Sequence, residues 1–180
     1  KHDYIIVLAV ILLIGGKLNT VRAQASGYVS HHDTIMTVGD IKFDPAIPTE
    51  VKVLAGKNKT KTISAKYSSE FSFQDSVKFV ARTVILQGKN QSIFLKLTVE
   101  GKYKLLQQIG FNDTPPKFYL EERSKVTLLN PEEFRSQLEV LPDFCPRWKE
   151  QKFSYTENSL TELFEAINTQ KCVNLRSISY

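Results

Sequence analysis

A chain of 180 residues that is 42% hydrophobic and 11% aromatic carries enough apolar material for a packed interior, which excludes disorder and low-complexity polymer character. Its 24 Lys and Arg exceed 19 Asp and Glu only mildly, so charge alone selects no class of partner. Two cysteines exclude a disulfide-dense scaffold, and the length fits a single domain over residues 1–180.

Residues 4–16 (YIIVLAVILLIGG) admit two readings. Lys1 and His2, the apolar run and the small-x-small triplet Ala23-Gln24-Ala25 match a secretory signal. Thirteen apolar residues are too few to span a bilayer unaided. Against this, Lys17 and Arg22 charge a stretch that is usually short and neutral. The run also suits a strand buried on both faces, with Gly15-Gly16 as its turn and residues 18–28 as a returning strand.

Downstream, most segments read as β. Residues 34–43 alternate loosely around Gly39-Asp40; Pro45 and Pro48 interrupt; residues 50–55 resume. Gly56-Lys57-Asn58 predicts a turn and residues 61–67 a strand. Lys52, Lys57, Lys59, Lys61 and Lys66 face only Glu50 and Glu70 nearby, either as a patch for an acidic partner or as lysines that blunt an exposed strand edge. No aromatic or arginine cluster is interleaved, which argues against nucleic acid. Residues 77–86 form a long β-branched strand, and Gly88-Lys89-Asn90 turns the chain. Residues 93–99 then place Ile93, Leu95, Leu97 and Val99 on one face, with Lys96 and Thr98 on the other. Residues 102–108 continue the sheet, 118–120 and 126–129 are short strands, and Pro131 opens a helical turn.

Ser159-Leu160-Thr161-Glu162 reads as a capping box, and Leu160, Leu163, Phe164 and Ile167 as the apolar stripe of the helix it starts. So short a helix is marginal alone, so it must dock on the sheet. Residues 172–178 close as a strand.

Chemistry is sparse. His31-His32-Asp33 would alternate across a strand and make a poor chelate. Cys145 and Cys172 lack the spacing of zinc or redox motifs, and no phosphate-binding loop occurs. The pairs Glu121-Glu122 and Glu132-Glu133 read as surface charge. No cofactor, metal site or catalytic residue is expected. Arg147 and Trp148 form a possible partner-facing anchor, with core packing as the alternative for the indole.

The order of several short motifs resembles the CABIT module of the Themis and GAREM signalling adaptors. Residues 94–107 (FLKLTVEGKYKLLQ) are similar to its strand, glycine turn and second strand. Val21-Arg22-Ala23, His32-Asp33 and Val38-Gly39-Asp40 resemble its upstream strand, loop and turn; residues 159–164 and Cys172-Val173-Asn174-Leu175 resemble its closing helix and strand. The chain departs from the family at residues 77–86, where Arg82 occurs and the core cysteine is missing, and in the longer section 110–155.

The resemblance implies a mostly β fold of two barrel-like halves with one or two short packed helices. It also implies a cytoplasmic, non-catalytic adaptor of tyrosine-kinase signalling that engages an SH2-domain tyrosine phosphatase, with reduced thiols, no membrane and residues 4–10 as a buried strand. The alternative expectation is a secreted or type II membrane-tethered β domain that binds a lipid or receptor. There, residues 1–25 are signal or anchor, Asn58, Asn90 and Asn112 carry glycans, and Cys145 and Cys172 are bridged.

Overall fold

Backbone pairing across the computed structural model, which describes residues 27–31, 34–54, 59–73 and 77–172, produces two antiparallel sheets and a helical C-terminal layer. The first sheet has eight strands in the order β11-β10-β9-β8-β7-β6-β1-β2, the second three in the order β3-β4-β5. The strands are β1 (Gly27–His31), β2 (Thr34–Val38), β3 (Ile41–Phe43), β4 (Glu50–Leu54), β5 (Thr60–Ser64), β6 (Ser68–Phe73), β7 (Val77–Leu86), β8 (Lys89–Val99), β9 (Tyr103–Gln108), β10 (Lys117–Glu122) and β11 (Lys125–Leu128). The helices are α1 (Phe134–Glu139) and α2 (Glu157–Thr169), with a 3-10 helix over Pro146–Glu150 between them. The expected strand at 4–10 lies outside the described residues, as do the expected returning strand at 18–28 up to residue 26 and most of the expected closing strand at 172–178; residues 27 and 28 open β1.

One face of the large sheet is covered twice. Val51, Val53 and Ile63 of the small sheet pack on Val29, Phe71, Phe79 and Phe94. Phe71 and Phe79 stack with ring centroids 4.7 Å apart, and Phe94 meets Phe71 edge-on at 4.9 Å, an arrangement aromatic quadrupoles favour. Further along the same face, Leu160, Leu163, Phe164 and Ile167 of α2 bury against Tyr103, Leu105, Phe118 and Leu120. The opposite face gathers Val80, Val84, Ile93, Leu95, Leu106 and Tyr119.

On that opposite face, Arg82 Nε donates to Glu121 Oε2 at 2.9 Å. Two strands, β8 and β9, separate β7 from β10, and a flat sheet would hold their backbones about 14 Å apart. The pair therefore closes because β7 to β10 curl around it. Glu121 is 7% exposed at its side chain and Arg82 24%, so Glu121 is a buried, paired group and not the surface charge expected. The sheet curls but stays open: β11 and β2 are its edges, and the described residues form two open sheets where barrel-like halves were expected.

Two details of the β8–β9 hairpin correct the period-two reading. Leu97 pairs with Leu106, but the next pair is Val99 with Leu105, so Thr98 is an extra residue in a bulge. The bulge turns Val99 to the α2 side, away from Ile93, Leu95 and Leu97. Beyond it, the Asn168 side chain acts as a strand neighbour: Tyr103 N–H donates to its Oδ1 at 2.9 Å, and its Nδ2 donates to Tyr103 O at 2.8 Å. This approach is why residue 101 is glycine, since a Cβ there would lie 2.6 Å from Asn168 Cγ.

The helix α2 begins earlier than its sequence signal. Thr156 is the N-cap, and its side chain accepts from Ser159 N–H. Ser159 Oγ instead accepts from Ser154 N–H at 3.1 Å. The expected stripe is buried throughout.

Candidate functional site

Among the described residues, the small sheet presents a pocket that mixes apolar and charged groups. In β4, Val51 and Val53 point into the core, so Glu50, Lys52 and Leu54 take the outer face. Cross-strand register then sets Lys42 of β3 directly opposite Lys52. Like charges so placed repel, and the carboxylate nearest Lys42 is Asp40, at 3.8 Å. Between these strands lies a pocket of about 230 Å³ lined by Lys42, Phe43, Asp44, Ile47, Glu50 and Lys52. Ile47 is 47% exposed, while the Phe43 ring also packs inward, 4.8 Å from that of Phe79.

The loop that carries this pocket is held at several points. Asp44 O accepts from Ile47 N–H at 2.9 Å, and Pro48 O accepts from Phe94 N–H of the large sheet at 2.7 Å. Asp44 Oδ1 takes Ala46 N–H at 2.9 Å. The two prolines that break the strand pattern thus sit in a fixed turn. Of the lysines predicted from sequence, Lys59 and Lys61 are exposed at the β5 edge, one border of the small sheet. Lys57 lies outside the described residues. Sequence reasoning noted Lys52 but missed Lys42, Phe43 and Ile47, because strand pairing brings them together and no spacing shows it.

The second predicted group divides. Trp148 is 1% exposed: the 3-10 helix turns its indole into the core, edge-on to Phe144 at 5.4 Å. It is therefore a core residue and not a partner-facing anchor. Arg147 stays exposed beside a shallow groove with Pro146, Glu150 and Gln151.

Cys145 and Cys172 form a disulfide with Cα atoms 5.5 Å apart. Asp143 anchors the same corner. It accepts from Lys102 Nζ, from Tyr103 Oη at 2.9 Å and from Gln170 Nε2 at 3.2 Å. The hydrogen bond from Lys102, then that from Tyr103, hold the Asp143 carboxyl below its usual range. Burial, and then the Asp143 hydrogen bond, push the Tyr103 phenol up.

A wider cleft of about 420 Å³ lies between β8 and the start of α2, lined by Val77, Lys96, Thr98, Glu157, Asn158 and Glu162 among others. Lys96 and Glu157 pair across it. The Thr98 hydroxyl, on the bulge residue, is buried without a hydrogen-bond partner.

Among the described residues no three His, Cys, Asp or Glu side chains converge on a metal position. His31 instead shares a hydrogen bond of 3.1 Å with Ser68 Oγ; His32 and Asp33 lie outside the described residues. No helix among the described residues is long and apolar enough to cross a membrane. Comparison of the chain with protein-family models, with curated proteins and with solved structures finds no match.

Proposed function

We propose that this chain is an exported, non-catalytic binding domain. The observation that carries the reading is the Cys145–Cys172 bridge. Disulfides persist in oxidising compartments and are rare where glutathione and thioredoxin keep thiols reduced. With export, residues 4–16 take their signal-peptide reading and Ala23-Gln24-Ala25 becomes the cleavage site. The non-catalytic part rests on side-chain chemistry. Of the perturbed ionisable groups, Glu70, Lys78, Lys102 and Asp143 are engaged in ion pairs that tie strands and loops together, and the phenols of Tyr103, Tyr119 and Tyr155 are pushed up chiefly by burial, which are structural uses of these groups.

The test is the mass of the mature protein from its native host. Export with cleavage predicts an N-terminus at Ser26; an N-terminus upstream of residue 4 contradicts the cleaved signal, and the thiol state then decides for or against export.

A second reading keeps the chain in the cytoplasm as a CABIT-type adaptor that engages an SH2-domain tyrosine phosphatase. The mostly β architecture supports it. That reading needs both thiols reduced, so the thiol state separates the two.

A further inference from the structure

We infer that the pocket on the small sheet binds a zwitterionic apolar α-amino acid, its carboxylate against Lys42 and Lys52, its ammonium against Asp44 and Glu50, and its side chain on Ile47. The inference deepens the binding-domain reading but is independent of the compartment. Its first support is charge pattern. The pocket is lined by two ammonium and two carboxylate groups beside the half-exposed Ile47, so the net charge of the lining is zero while its local charges are separated. A fatty acid would bring its carboxylate toward Asp44 and Glu50 as well as the lysines, and a simple amine would meet both lysines. A ligand with one charge of each sign on a small apolar body satisfies the whole lining.

The second support is the lysine pair itself. Lys42 and Lys52 stand opposite each other in the β3–β4 register; Asp40 lies 3.8 Å from Lys42, and an anion placed between the two ammonium groups relieves the repulsion that remains. The third is preorganisation. The 44–49 loop is fixed by Ile47 N–H on Asp44 O and by Phe94 N–H on Pro48 O, so little ordering opposes ligand entry. The volume of about 230 Å³ suits a single amino acid.

The experiment is a titration of the full disulfide-bonded protein with L-leucine, N-acetyl-leucine and leucinamide, followed by amide chemical shifts. L-leucine is expected to shift the 42–52 backbone amides, with N-acetyl-leucine and leucinamide each at least about tenfold weaker because each leaves one charged pair unanswered. Lys52→Met should weaken L-leucine about tenfold, and Ile47→Ser should weaken it while leaving the preference over leucinamide intact. Both positions are solvent-facing, and an unchanged thermal melt confirms that the variants fold. Equal affinity for the three ligands, no shift with L-leucine, or full binding by Lys52→Met overturns the proposal. An amino-acid failure leaves the mature N-terminus and thiol state unaltered, so it is distinguishable from a failure of the export reading.

Discussion

Glu70 shows how single side chains lock the large sheet. It accepts from Tyr28 Oη of β1 and from Lys78 Nζ of β7, each at 2.8 Å, and so ties three adjacent strands. Burial alone would raise its pKa, but the bonds from Lys78 and Tyr28 and the positive charges of Lys78 and Arg82 outweigh it, leaving Glu70 below 4.5. A carboxyl depressed in the folded state stabilises fully above its unfolded pKa, and the contribution is lost as pH falls through the folded value. Glu70→Gln should therefore lower the urea midpoint at neutral pH and flatten its decline between about pH 5 and pH 2. A decline as steep as that of the parent protein would show that other carboxylates carry it. Lys78 runs the opposite way: its pKa is raised above 10.5, chiefly by the hydrogen bond to Glu70, so its share is lost only in alkali above that value. None of this was legible in the sequence, where Glu70 and Lys78 look like ordinary surface charge. The Arg82–Glu121 pair was missed, although an arginine inside an apolar strand must find an acid.

At the scale of elements, the strands were read well where local chemistry decides. The strand at 77–86 matches β7 end to end, and its turn is explained by Gln87 and Gly88, with φ of 51° and 75°. Positive φ at both central residues is the hairpin turn that suits the twist of flanking strands. The β10–β11 hairpin makes the same turn with Arg123 and Ser124, at φ of 48° and 70°, without a glycine to announce it. The bulge at Thr98 was equally hidden, since alternation in one strand says nothing about an extra residue relative to its partner. For α2 the apolar stripe was legible and the start was not: Thr156 and Ser159 are both good caps, and only the backbone geometry chooses Thr156. Because Phe164 is fully buried against the sheet, Phe164→Ala should cost about 3–5 kcal/mol in chemical denaturation. A loss under about 0.5 kcal/mol would mean that α2 does not share the core.

The whole molecule is organised around one face of the large sheet, covered at one end by the small sheet and at the other by α2 and the segment leading into it. Tyr155 joins that segment to the strands: it accepts from Phe118 N–H at 3.0 Å and donates to Leu129 O at 2.7 Å. The disulfide then closes a span of 27 residues that contains the 3-10 helix and all of α2. Closing a loop of that length restricts the unfolded chain by about 3.5 kcal/mol, a large share of a typical net stability. With two cysteines the sequence allows one pairing, the bridge of the alternative expectation, and what it left open was whether the thiols are oxidised. The compartment therefore turns on that bond. The most direct test is to trap the protein from its native host with an alkylating agent, unfold it without reductant and weigh it. The account predicts no adduct on Cys145 or Cys172 until a reductant is added, and adducts on both afterwards. Alkylation of both before reduction would contradict it and return the chain to a reducing compartment.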